Sequence, residues 1–158
     1  MKNQSGFTLI EILIVIGLIA VLAGVVLVAI NPARQFAQAH DSQRLSNANA
    51  ILNAIGQRIA DNKGLFRQTA DTVCVANMDL SASAKVIGSG SGELNLRPCL
   101  VPTYLAEMPA DPTTGTVCAD NACSAGYHTN YQVLKDATTG RVTISATGEL
   151  TNPISVTR

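Results

Sequence analysis

Residues 1–30 read MKNQSGFTLIEILIVIGLIAVLAGVVLVAI, and from Ile12 to Ile30 no charged side chain interrupts the run. At about 1.5 Å of rise per residue, a helix over that stretch spans roughly 28 Å, close to the bilayer hydrocarbon core of about 30 Å. The stretch therefore predicts a transmembrane helix. One acid, Glu11, stands near its start. An ionisable group in a spanning segment costs about 2.5 to 3.5 kcal/mol on insertion scales and is usually retained for function. The bland alternative is a carboxyl that snorkels to the interface or stays protonated. A secretory signal peptide would also use Lys2 as its positive start and Ala20, Ala23 or Ala29 as small residues near a cleavage site. The apolar run is too long for that, carries an acid near its start and leads straight into another helical pattern.

The 158 residues allow one modest domain beyond the apolar segment. Hydrophobic content of 47% is inflated by that segment, while aromatics make up only 4% and Trp is absent, so the outer part is expected to have a thin core of small and β-branched residues. Eleven basic and eleven acidic side chains cancel, with no run of Lys or Arg. That balance excludes the dense positive footprint of a dedicated nucleic-acid binder, and no specific nucleic-acid partner is expected. Lys2 and Arg34 flank the apolar run on either side, which leaves the positive-inside rule nearly silent.

Cys74, Cys99, Cys118 and Cys123 all lie beyond the apolar segment, and an even number in a small exported domain points to disulfides. Three pairings are formally possible; local spacing favours Cys118 with Cys123, leaving Cys74 with Cys99. A four-cysteine zinc site needs closely paired ligands, and only CADNAC approaches that spacing, so no metal is expected. No cofactor is expected either. His40 and His128 sit in no HExxH motif and beside no GxSxG elbow, and GSGSGE at 88–93 lacks the spacing and Lys of a phosphate loop. No catalytic residue is assigned.

Along the chain, Asn31 and Pro32 read as a cap and first position of a renewed helix, with Pro32 bending or loosening the rod. Ala48, Ile51, Leu52, Ile55 and Ile59 recur at spacings of three and four, and Arg44, Asn47, Arg58 and Asp61 are assigned to other faces. The helix is expected to end near residues 62–64. Residues 65–95 read as small, polar and irregular. Pro102, Pro109 and Pro112 forbid a regular central strand, and DPTTG reads as a turn. YHTNYQVLK and RVTISA, separated by DATTG, read as a hairpin of a small antiparallel sheet packed on the helix. The expected class is α+β, divided into a leader at 1–6, an apolar helix at 7–30, an amphipathic helix at 31–63 and a globular head at 64–158.

The Lys-containing leader, Gly6, Phe7 and Glu11 in GFTLIE resemble the signal of type IV pilins and type II secretion pseudopilins, and the helix-then-sheet order is similar to that family's ladle-shaped fold. The resemblance implies cleavage between Gly6 and Phe7 by a prepilin peptidase, which also N-methylates Phe7. It implies that Glu11 pairs with the new amine of a neighbouring subunit, and that Leu9, Ile10 and the following aliphatics pack in a filament core. Expected partners are further pilin subunits and an inner-membrane assembly platform driven by a cytoplasmic ATPase. The precursor would be a single-pass inner-membrane protein, and the product an extracellular or periplasmic filament.

Tyr104, Leu105, Pro109, Asp111, Pro112 and Gly115 loosely match a loop of major pseudopilins, with Thr113 where those often carry a large aromatic. That family can bind calcium nearby. Asp111, Asp120 and Asn121 do not form the spaced run that about six to eight oxygen ligands require, so no calcium site is carried over. The first functional expectation is a pilus-like filament subunit serving adhesion, motility or DNA uptake. The alternatives are a secretion pseudopilin and a non-polymerising surface anchor.

Overall fold

A run of Leu, Ile, Val, Ala and Gly broken only by Glu11 satisfies its backbone groups internally only as a helix, the one form in which a single segment tolerates lipid. In the computed structural model, which describes residues 6–75 and 78–158 without the side chains of Ala29 and Ile30, that run is α1, Leu9–Ile30. Residues 1–5 of the expected leader lie outside the described residues. Asn31 ends α1 in the left-handed region at φ 47°, and its side chain then accepts from Arg34 N–H at 3.4 Å as the next helix begins. That helix, α2, runs Pro32–Asp61, with proline at the first position, where no N–H is needed.

The chain divides into two compact units, residues 1–37 and 38–158. The first contains α1 and the opening of α2. Every described side chain of α1 is exposed, and its 20-residue stretch Leu9–Val28 is long and apolar enough to cross a membrane.

In the second unit, Ala48, Ile51, Leu52 and Ile55 of α2 share one core with a four-stranded antiparallel sheet ordered β1-β2-β3-β4: β1 Lys85–Gly88, β2 His128–Lys135, β3 Val142–Ala146 and β4 Ile154–Thr157. Period-two alternation sends Thr129, Tyr131 and Val133 of β2 and Val142, Ile144 and Ala146 of β3 inward. Their register pairs Gln132 with Ser145 and Lys135 with Val142, which is the expected hairpin. Of the six aromatics, Phe66, Tyr127 and Tyr131 are buried, whereas Phe7 and Phe36 are exposed.

Three elements depart from the sequence reading. β1 lies inside the stretch read as irregular, β4 follows the last proline, and a single helical turn, α3 at Arg97–Leu100, precedes Pro102. Each has four residues, too few to show a period, and each is fixed by its neighbours. Arg44 and Arg58 are also corrected: both are buried, not on the outer faces assigned to them. Positions 44, 48, 51, 55 and 58 advance by four and three, so the two arginines continue the apolar stripe at its ends.

The pentapeptides DPTTG (111–115) and DATTG (136–140) fold into the same turn. In each, the Asp Oδ1 accepts the N–H groups two and three residues on, at 2.9 and 3.0 Å for Asp111 and at 2.9 and 2.7 Å for Asp136. In each, the glycine N–H also donates back to the Asp carbonyl. Gly140 is required by φ 71°, and Gly115 because a Cβ there would strike the backbone of Asp111.

Disulfides join Cys74 to Cys99 and Cys118 to Cys123, the pairing that spacing favoured. Their sequence separations of 25 and 5 differ enough to rank them. Chain-entropy arithmetic gives about 3.5 kcal/mol for the longer loop and about 2 kcal/mol for the shorter. Replacing both Cys74 and Cys99 by Ser is expected to lower the unfolding midpoint of the detergent-solubilised chain more than replacing Cys118 and Cys123. Equal midpoint losses in the two double variants would contradict this.

Candidate functional site

At the start of α1, Gly6, Phe7 and Thr8 are non-helical and exposed. Thr8 is the N-cap, and its Oγ1 accepts the Glu11 N–H at 3.3 Å. Thr8-x-x-Glu11 has the spacing of a capping box, and an acid in the first turn also complements the positive end of the helix dipole. The sequence reading gave Glu11 a role and overlooked Thr8, although the Thr-x-x-Glu spacing before an apolar run was its signal. Leu9 and Ile10 project from the same turn, and both are exposed.

In the second unit the polar centre is Arg44. Its side chain is only 3% exposed, and it reaches two segments distant in sequence as well as its own helix. Nε and Nη2 grip the Asp111 carboxylate at 2.6 and 3.2 Å, and Nη2 also donates to Thr113 Oγ1 at 2.8 Å. Nη1 donates to Asp41 Oδ1 at 2.9 Å and to Glu149 Oε1 at 3.0 Å. Asp41 in turn accepts three successive backbone N–H groups, from Glu149 at 2.8 Å, Leu150 at 2.8 Å and Thr151 at 3.0 Å. His40 Nδ1 lies 2.9 Å from Glu149 Oε1.

Burial by itself would raise the carboxyls of Asp41 and Asp111. The backbone N–H groups on Asp41, and Arg44 with the Thr113 and Thr114 donors on Asp111, outweigh burial and hold both well below the usual carboxylate range. The Asp111 carboxylate, followed by the counter-ions Glu149 and Asp41, holds the Arg44 guanidinium more firmly protonated than usual.

The remaining sequence candidates are placed apart from this cluster. His128 starts β2 as expected, and its Nδ1 lies 2.5 Å from Glu93 Oε1. Nearby Ser89 accepts the Tyr127 N–H at 2.8 Å and donates to the Tyr127 carbonyl, so its hydroxyl is taken up in holding the backbone. Of the oxygen donors considered for calcium, Asp111 is gripped by Arg44, Asp120 bonds Ser124, and the Asn121 carbonyl accepts from Arg97. Among the described residues no group of three or more His, Cys, Asp or Glu is placed to hold a metal ion.

Residues 1–27 match the family model of the prokaryotic N-terminal methylation motif. This is the prepilin signal, its matched residues run through most of α1, and it supports a type IV pilin or pseudopilin kind of protein. The signal and the apolar helix together fit a membrane-anchored precursor processed by a prepilin peptidase. No curated protein and no solved structure matches the chain.

A carboxyl held lower in the fold than in the unfolded chain contributes its full stability above the ordinary carboxylate range and loses it as pH falls through the folded value. For Asp41 and Asp111 the unfolding midpoint is therefore expected to be flat above about pH 5 and to drop progressively below it. Near-ultraviolet circular dichroism of the tyrosines follows this, and a midpoint unchanged down to about pH 2 would contradict it. Arg44→Leu, which leaves Asp111 buried without its counter-ion, is expected to cost about 3 to 5 kcal/mol in the same measurement.

Proposed function

We propose that this chain is the structural subunit of a type IV pilus-like filament, cut between Gly6 and Phe7, N-methylated at Phe7 and polymerised through α1. The observation that carries this reading is a fully exposed apolar helix, Leu9–Val28, that begins three residues after Gly6 and lies largely within the matched prepilin signal. Such a surface has two covers, lipid before assembly and the same helix of other copies after it. Cleavage creates a cationic amine at Phe7, about one helical turn from Glu11. In a packed bundle, the amine of one copy meets Glu11 of the next and both charges are neutralised, which offsets the insertion cost of the acid and sets the axial register. Leu9 and Ile10 pack beside that pair.

The two disulfides are consistent with a head that matures outside the cytoplasm, where thiols oxidise. Assembly would use the inner-membrane platform and its cytoplasmic ATPase, and the filament would serve adhesion, motility or DNA uptake.

Electron microscopy of sheared cell-surface material, with mass spectrometry of the N-terminus, tests the reading. An ordered polymer of chains beginning at methylated Phe7 is expected. An uncut monomer retained in the membrane would sink it in favour of a simple anchor, and a polymer confined to the periplasm would move it to a secretion pseudopilus. Gly6→Val is expected to accumulate uncut precursor. Glu11→Ala is expected to insert and be processed normally while lowering filament yield about tenfold or more; abundant filaments from it would remove the assembly role.

A further inference from the structure

The backbone changes character at Thr8. This residue is extended, at φ −80° and ψ 150°, and its carbonyl accepts the first backbone bonds of the helix, from Glu11 N–H at 3.2 Å and Ile12 N–H at 3.3 Å. Its Oγ1 accepts the same Glu11 N–H at 3.3 Å. Immediately upstream, neither the Gly6 carbonyl nor the Phe7 N–H is hydrogen-bonded within the described residues, and Phe7 is 80% exposed. The peptide bond between them is therefore unwound and open on both sides.

That condition needs a cause. A membrane segment is under pressure to wind every residue it has, because an unpaired backbone N–H or C=O in hydrocarbon is costly. Helix starts are set by side chains that cap the free N–H groups, chiefly Ser, Thr, Asp and Asn. Downstream of Thr8 the sequence offers Leu9, Ile10, Glu11 and Ile12, none of them of that type. Upstream, the next cap-type residue is Ser5. A helix begun from Ser5 would take Gly6 and Phe7 into its first turn and commit the Gly6 carbonyl to the Ile10 N–H. The Thr8 hydroxyl is what favours the later start.

The difference bears on the cut between Gly6 and Phe7. Hydrolysis there consumes one water: its oxygen is added to the Gly6 carbonyl carbon, the C–N bond breaks, and that electron pair and a proton stay with the Phe7 nitrogen. An enzyme that grips an extended chain does so through main-chain N–H and C=O groups, as an added strand is gripped. A bond wound into a helical turn has its carbonyl already taken.

We infer that Thr8 is a positioning residue for leader removal: by starting α1 at Leu9 it keeps the Gly6–Phe7 bond extended, with both amide groups free for the peptidase. The inference deepens the filament reading, on which it rests for the position of the cut. It gives Thr8 a task distinct from that of Glu11, since the one acts on processing and the other on assembly.

The test follows the full-length chain, expressed with the prepilin peptidase, by pulse-chase, with mass spectrometry of the N-terminus. Thr8→Val keeps the shape and the β-branch and loses the accepting oxygen. It is expected to insert normally and to lose its leader at least about fivefold more slowly. Thr8→Ser and Thr8→Asn differ from threonine in shape but cap a helix, and each is expected to stay within about twofold of the wild-type rate. Adding Leu9→Pro to Thr8→Val fixes the same start by another device, because proline suits the first helical position and holds the residue before it extended. That double variant is expected to recover the wild-type rate.

A Thr8→Val chain cut as fast as the wild type overturns the inference and leaves the cleavage reading standing. A rate that stays low in Thr8→Asn or in the double variant also overturns it, since the peptidase would then be reading threonine itself. A wild-type chain left uncut, or cut elsewhere, removes the inference together with the reading beneath it.

Discussion

The second unit is organised around one guanidinium. Arg44 binds residues 67 and 105 positions away in sequence, and through Asp41 it holds the backbone of Glu149, Leu150 and Thr151. The helix, the DPTTG turn and the segment leading into β4 are thus fastened at one point, where the side-chain carboxylates of Asp41 and Asp111 are almost wholly dehydrated. A buried network of this kind is stabilising only when every member is satisfied, because each unpaired group carries its full desolvation penalty. The satisfied arrangement therefore selects one docking of three segments out of the many that apolar packing alone would tolerate.

The broad plan was legible because it is written in long periods. The apolar run of α1, the stripe Ala48, Ile51, Leu52 and Ile55, and the alternating β2 and β3 each repeat often enough to show their geometry. Asn31 with Pro32 and the two D-x-T-T-G turns were legible as punctuation. β1, β4 and α3 were not, since four residues carry almost no periodic signal and their form is imposed by neighbours.

The candidate sites divide in the same way. Gly6, Phe7 and Glu11 were read from a contiguous stretch, whereas the Arg44 cluster draws on three separated segments, and charge argued for the wrong face. An arginine that continues an apolar stripe by three or four positions is better read as a buried hub awaiting a carboxylate. Asp111, inside a turn signal, was the available partner. What no local pattern conveyed was that the aspartate of one D-x-T-T-G turn would be buried against Arg44 while that of its twin stayed exposed. Arg44 is the partner that Asp111 has and Asp136 lacks.

The three N–H groups held by Asp41 come from residues 108 to 110 positions further along the chain. Contacts of such long sequence separation form late, because the loop they close must be ordered before they repay it. α1, by contrast, needs only neighbours and forms on the sub-microsecond scale typical of helices. The two units therefore mature on different clocks. The apolar helix can be shaped as soon as it emerges, whereas the head stays unfinished until residues 149–151 are made and brought back to α2.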